Sequence, residues 1–426
     1  MKEDIRTSRL SNGLAILTDT MPDVRSVTLG FFYRIGSRHE PAELNGISHF
    51  IEHTVFKGTK RRTAFDIAKE QDRLGGGLDA FTTHEETGFV IKVIDDQIEN
   101  AFDLLADMMT EPAFDELDLE NERNVIIEEM KMVEDSPEDH LGEIFSEAFF
   151  PGHPLGMNIV GTSQSVAAFD HHGTADYHRQ VFGPSNLVIA AAGNVDHGKI
   201  ENLATRYFAN GSLGSDSPAL TSQTPDFGAP VLIRQNKNLE QAHLIIATPF
   251  VSATDEGRYA ADMLANILGG GTSSRLWQKV REERGLAYSV GASTVMFRDC
   301  GYFSVYAGTS PEQTREVVDI TMDELRDVVK NGVSEDELDL VKQQARASIL
   351  LSLEDSASRA GSLANLEMTF GRQISVEETL ERLDAVTLDE IQRLAQEHFQ
   401  TEKIAFAAIG DLTGLNLERE SFDLSY

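Results

Sequence analysis

The sequence predicts two domains that each mix β-strands with covering helices and that are related by duplication. Three observations carry this. The chain has 426 residues, enough for about two to four domains at the usual domain size. Residues 210–229, NGSLGSDSPALTSQTPDFGA, are rich in Gly, Ser, Thr and Pro and show almost no core-forming periodicity, so they read as a linker. Beyond them the chain starts over. DELDL at 115–119 returns at 336–340, VEDS at 133–136 has LEDS at 353–356 as its counterpart, and AAAGNVD at 190–196 resembles AAIGDL at 407–412. The expected division is a first domain over 1–213, a linker over 214–229 and a second domain over 230–426.

Taken in order, residues 8–19 predict a hairpin turning at Asn12-Gly13, a strong turn dipeptide. Val27–Ile35, rich in β-branched and aromatic residues, predicts a buried strand, and Glu40–Gly46 a polar loop. Ile47–Phe56 predicts a helix. Thr63 caps a second one that stops at Gly75-Gly76-Gly77. Leu78–Thr83 and Thr87–Ile94 alternate like paired strands. Gln97–Met109 places Ile98, Phe102, Leu105 and Met109 on one helical stripe. Helices follow over Asp115–Glu134 and Pro137–Phe149, then an apolar strand over Asn186–Ala192. The neighbouring His171-His172, with Gly173 and polar flanks, reads as an exposed turn.

Composition narrows the function classes. The apolar fraction of 41% is ordinary for a globular protein with a sizeable core. With 37 basic against 70 acidic residues the net charge is −33. That argues against a nucleic-acid partner, since a phosphate backbone is repelled, and fits basic peptides or simply a solvated surface. Cys300 is the only cysteine, so no intrachain disulfide forms. It reads as a small core residue, because nothing local lowers its pKa. The N-terminus has no long apolar stretch of the signal-peptide kind. No run of about 18 apolar residues predicts a membrane span. A cytoplasmic protein is the expectation.

The chemistry is concentrated in Gly46–Gly58, GISHFIEHTVFKG. His49 and His53 are four apart, so on a helix they stand one above the other and both imidazoles can reach one ion. Two imidazoles suit Zn²⁺. Glu52 lies beside both and can take a proton from bound water. A polar helix face could carry the same pattern, but Phe50, Ile51, Val55 and Phe56 make this helix core-associated. A third ligand is available from the helix over 119–134, which offers Glu122, Glu128 and Glu129. Glu122 and Glu129, seven apart, share a face, and Glu128 points about 100° away from Glu129. Carboxylates on a packed helix are costly unless paired or metal-bound, which favours one of them as a ligand and leaves open which. At the duplication offset His49, Glu52 and His53 fall near Gly270, Ser273 and Ser274, so only the first copy carries the motif.

The chain resembles the pitrilysin/insulysin-type inverzincin zinc peptidases, whose H-x-x-E-H inverts the commoner H-E-x-x-H. Within them it is similar to the mitochondrial processing peptidase β-subunit and its bacterial short-chain relatives. The residues that carry the resemblance are GISHFIEHTVFKGTKRR at 46–62, LGGGLDAFTTHEETGF at 74–89, ERNVIIEEM at 122–130 and GGGTSSRLWQKVREERGLAYSV at 269–290.

The resemblance implies an α+β fold: two duplicated α/β-roll domains, each a mostly antiparallel sheet covered by helices. It implies His49 and His53 as zinc ligands and Glu52 as general base. The family's third ligand follows the second histidine by 76 residues, which selects Glu129, and an acidic residue seven before it, here Glu122, is needed outside the metal's own shell. It implies that Arg281 and Tyr288 close on the substrate, a pair that composition alone would leave as a solvated Arg and a core Tyr. The implied function is a zinc endopeptidase with one Zn²⁺ per chain, acting on extended peptides or unfolded protein segments. The implied assembly is a homodimer, or a heterodimer with an inactive homologue. The alternative within the same fold is a non-catalytic assembly subunit of the respiratory core-protein kind. One departure stands out: relatives usually read N-A-x-T where this chain has Asp79-Ala80-Phe81-Thr82, trading an amide donor for a charge. Altered pH dependence or peptide preference is the expectation. The glycines at 269–271 are not followed by G-K-[ST], which excludes a phosphate loop.

Overall fold

The computed structural model describes residues 3–75, 77–209 and 224–425; Gly76 and residues 214–223 of the expected linker lie outside them. The chain opens with β1 (Ile5–Arg9), β2 (Ala15–Thr20) and β3 (Ser26–Tyr33), followed by helices α1 (Ile47–Thr54) and α2 (Ala64–Leu74). The hairpin β4 (Leu78–Thr82) and β5 (Thr87–Ile94) leads to α3 (Ile98–Thr110), α4 (Glu116–Asp135) and α5 (Pro137–Phe149). Then come α6 (Ser163–Ala168), α7 (His171–Val181), β6 (Leu187–Gly193) and α8 (His197–Phe208). The second half runs β7 (Val231–Gln235), β8 (Ala242–Phe250), α9 (Arg258–Gly269), a π-helical turn at Trp277–Glu282, β9 (Ala287–Met296) and β10 (Gly301–Thr309). It ends with α10 (Thr314–Asn331), α11 (Glu335–Ser352), α12 (Ser356–Phe370), α13 (Val376–Ala385), α14 (Leu388–His398) and β11 (Ala405–Gly410).

The local chemistry explains many of these boundaries. Gly13, at φ +92°, turns the β1–β2 hairpin where Asn12-Gly13 predicts it. The Thr63 hydroxyl accepts from the Asp66 N–H at the start of α2, and Gly75 closes that helix in the left-handed region. His171 is a different outcome. It is not in an exposed turn but is the first residue of α7, capped by the Asp170 carboxylate, which accepts from the Gly173 N–H. Gly173 sits in the first helical turn, so its turn propensity is spent at a helix start rather than in a loop.

Two sheets result. The six-stranded sheet has the order β1-β2-β6-β3-β5-β4, and only its β2–β6 pairing is parallel. The five-stranded sheet has the order β7-β11-β8-β10-β9, again with one parallel pair, β7–β11. Each sheet is mostly antiparallel and packed with helices, the α+β architecture that the sequence and its resemblance predict.

The chain forms two compact units, and neither is continuous in sequence. The first comprises Met1–Lys131, Met157–Ser222 and Leu350–Ser375; the second comprises Met132–Gly156, Gln223–Ile349 and Val376–Tyr426. In the first unit, α1 and α3 pack against one sheet face through Ile51, Phe102 and Leu105 with Leu29, Phe31 and Ile91. The other face, with Ala15, Leu17, Phe32 and Val188, is covered by Leu363 and Ala364 of α12. In the second unit the corresponding cover is α5, whose Leu141, Phe145 and Phe149 pack on Ala247, Ala405, Ala407 and Ile409. The repeated VEDS and LEDS segments thus each lead into a helix that serves the other half's sheet. Apolar side chains on both faces of β2, β3 and β6 are the consequence, since both faces are covered.

Candidate metal centre

Helix α1 presents the metal motif, and its entry is tightly constrained. Gly46, at φ +94°, precedes it, and a Cβ there would come within 2.7 Å of Gly161 Cα and Val160 O. No hydroxyl or amide side chain caps this start. Instead the buried Glu40 carboxylate accepts from the backbone N–H groups of Gly46 (2.7 Å) and Ser48 (2.8 Å), and from Asn45 Nδ2 (3.4 Å). A carboxylate is favoured at the positive end of a helix. Burial pushes its pKa up to about 7, against the pull of those hydrogen bonds. Glu40 stands six residues ahead of the helix in what reads as a polar loop, so no local capping pattern announces it.

One turn apart on α1, the rings of His49 and His53 lie 4.6 Å from each other. Glu129, on α4, brings Oε2 to 3.7 Å from His49 Nε2 and 3.6 Å from His53 Nε2. One ligand atom from each of the three lies within 4.8 Å of the others. Donors about 2.1 Å from a tetrahedral zinc stand roughly 3.4 Å from one another, close to these separations. Glu129 Oε2 is also buried without a hydrogen-bond partner among the described residues, so an acceptor between two imidazoles has its hydrogen-bonding capacity unused. The residues therefore fit a zinc ion. Glu128, by contrast, is exposed and pairs with Lys131.

Glu122 lies about two turns from Glu129 on the same face of α4 and is buried. Its Oε2 is 3.3 Å from His53 Nδ1 and its Oε1 is 2.8 Å from Lys57 Nζ. It therefore orients His53 from behind. Desolvation works against its charge, but the His53 and Lys57 contacts win and hold its pKa below the usual range. Lys57, the last link of this series, has no motif or spacing that singles it out in the sequence. For His53, too, burial opposes the charged form, and its bond to Glu122 and the charges of Glu129 and Glu52 outweigh it, so its pKa is raised. His49 goes the other way: burial and the neighbouring His53 pull it down to about 4, which keeps it neutral.

Glu52 completes the group. Its Oε2 accepts from the Thr82 hydroxyl at 2.6 Å, which ties α1 to the edge strand β4. Burial raises its pKa; Glu129 and Asp79 add to the rise, and Thr82 and His53 oppose it. A carboxylate moved up in this way is better matched to accepting a proton near neutral pH. Asp79 is exposed on β4.

Arg281 and Tyr288 come together within the second unit. The guanidinium carbon of Arg281 lies 4.9 Å from the Tyr288 ring centroid and 4.1 Å from that of Trp277. Tyr288 is 78% exposed.

The chain is similar to known proteins over most of its length. The sequence profile described as Insulinase (Peptidase family M16) matches residues 15–163, and that described as Peptidase M16 inactive domain matches residues 174–345. A protein of Streptomyces coelicolor is 39% identical over 92% of this chain and 87% of its own length, and one of Bacillus subtilis is 37% identical over 95% and 98%. Both are described as uncharacterized zinc proteases. The chain belongs to the M16 insulinase family. It is a zinc protease of that family, and the candidate metal ligands His49, His53 and Glu129 all fall within residues 15–163. Two solved structures share the fold at a TM-score of 0.88. One is a protease from Helicobacter pylori, 22% identical, covering 96% of this chain and all of that one. The other is a peptidase M16 inactive domain from Pseudomonas fluorescens, 20% identical, covering 96% and 98%. Among the described residues, no helix of the protease is long and apolar enough to cross a membrane.

Proposed function

We propose that the protein is an endopeptidase that cuts extended peptides or unfolded protein segments, with one zinc held by His49, His53 and Glu129. The convergence of these three ligand atoms within 4.8 Å, beside a base-competent Glu52, carries the reading. Zinc held by these residues would supply Lewis acidity to a water and to the scissile carbonyl. Glu52 would accept a proton from the attacking water and pass it to the leaving amine nitrogen. Thr82 holds the Glu52 carboxylate in place through its hydroxyl. Glu122, braced by Lys57, fixes the ring of His53. Arg281 is assigned to a substrate carbonyl, and the Tyr288 hydroxyl to the oxyanion. The outer edge of β4 has no strand partner among the described residues, and an extended peptide can add there as a strand.

The protein is proposed to work as an oligomer, a homodimer or a heterodimer with an inactive homologue, in the cytoplasm. The test is metal analysis of the purified protein, digestion of a mixed peptide library with and without a chelator, and size-exclusion alongside. One zinc per chain and chelator-sensitive cleavage within peptides are expected. A chain that binds no zinc and cuts nothing is the non-catalytic assembly subunit instead.

A further inference from the structure

We propose that Trp277 is a positioning residue: it holds the Arg281 guanidinium flat between its own ring and that of Tyr288, with the N–H edge left open for a main-chain carbonyl of the peptide. This rests on the reading of Arg281 and Tyr288 as substrate-holding residues and extends it to a residue that reading does not use.

Four observations carry it. Trp277 and Arg281 are four residues apart in the π-helical turn Trp277–Glu282, so their side chains project to one side. π-Helical turns are rare and recur at functional sites. Arg281 stacks over Trp277 at 4.1 Å and over Tyr288 at 4.9 Å, so the cation has an aromatic face on each contact. The indole is itself fixed, since Trp277 Nε1 donates to Glu282 Oε1 at 3.0 Å. That bond occupies the carboxylate next in sequence to Arg281. Finally, no carboxylate pairs with Arg281 among the described residues, although its basic neighbours are all paired: Arg275 with Glu337 and Asp327, Lys279 with Glu324, and Arg284 with Glu316. In a chain with 70 acidic residues, a partly buried arginine held only by ring faces is unusual.

The physical consequence follows from the shape of the group. Ring faces attract the cation but use none of its in-plane N–H donors, which remain directed outward. A guanidinium already held in one plane loses less freedom when it binds a carbonyl. Trp277 therefore acts through Arg281 and needs no contact of its own with the peptide.

The experiment uses the zinc-loaded full chain and a Trp-free peptide taken from the library digest. Trp277 is the only tryptophan, so its emission reports on this stack alone. Trp277→Leu keeps the apolar bulk and removes the ring face; it is expected to raise KM about 3–10-fold, the range of a cation–π contact, with kcat within about 2-fold. Trp277→Phe restores a ring face and is expected to recover most of the loss. Arg281→Met is expected to raise KM at least as far, and adding Trp277→Leu to it to change nothing more. In the Glu52→Gln background, which binds without turnover, titrating the peptide is expected to change Trp277 emission, and Arg281→Met to abolish that change. An equal further loss on adding Trp277→Leu to Arg281→Met overturns the proposal, as does an emission change that survives Arg281→Met. An Arg281→Met enzyme with unaltered KM instead overturns the underlying assignment of Arg281. The emission arm uses the native tryptophan, so it decides the matter even if the leucine variant fails to fold.

Discussion

His53 meets Glu129 with one ring nitrogen and Glu122 with the other, and Lys57 holds the far oxygen of Glu122. A carboxylate behind a ligating imidazole fixes its tautomer and raises its basicity. Glu122→Gln is therefore expected to weaken zinc binding by about 10–100-fold, read by competition with a chromogenic chelator, while Glu128→Gln, on an exposed side chain paired with Lys131, leaves it unchanged. A second residue sets an acid limit on the fold. His178 is wholly buried on α7, stacked at 5.5 Å on Phe182 and edge-on to Phe114. Burial above all, with the charge of Arg179, pulls its pKa from 6.5 down to about 4, against a hydrogen bond that the ring donates to the Met109 backbone carbonyl. A depressed histidine favours the folded state above its unfolded pKa, because folding requires the neutral ring. That contribution is full above about pH 6.5 and is lost as pH falls towards 4 and below. At about 1.4 kcal/mol per unit it amounts to roughly 3 kcal/mol. Chemical denaturation of the metal-free protein between pH 8 and pH 4 should show this slope, and His178→Phe should flatten it by about that amount.

At the scale of elements, α5 and α12 each cover the sheet of the unit opposite to their own half of the sequence. Leu363, on α12, is buried at 2% exposure. Leu363→Ala should cost about 2–5 kcal/mol, measured by urea unfolding, whereas Leu340→Ala, at 42% exposure on α11, should stay within about 0.5 kcal/mol. The helix over 137–149 is legible in the sequence, and so is the repetition of VEDS as LEDS before both helices. Their destination is not, because periodicity says that a helix buries a face and not which sheet receives it. The same limit applies to Glu40. Its carboxylate caps α1 from six residues upstream, a reach that no local capping pattern encodes. The H-x-x-E-H spacing, in contrast, was fully legible, because four residues on a helix is a geometric statement in itself. Between Glu122, Glu128 and Glu129 the residues alone left the choice open, and the fold brings Glu129 to the two histidines because α4 packs with that face inward. The paired histidines at 171 and 172 misled, since Gly173 signals a turn equally well at the start of a helix.

At the scale of the whole molecule, the chain carries a net charge of −33. The net charge predicts faster cleavage of basic than of acidic peptides at low ionic strength, with the difference shrinking as salt screens it. Initial rates on matched Lys-rich and Glu-rich peptides across a salt series check this. Glu52 moves the proton in the proposed reaction, while His49, His53 and Glu129 hold the ion. Glu52→Gln separates the two roles when zinc content and peptide hydrolysis are measured on the same preparation. Zinc should be bound as in the parent and hydrolysis lowered by about 10²–10⁴-fold. A zinc-loaded Glu52→Gln protein that cleaves at the parent rate would contradict this division of roles.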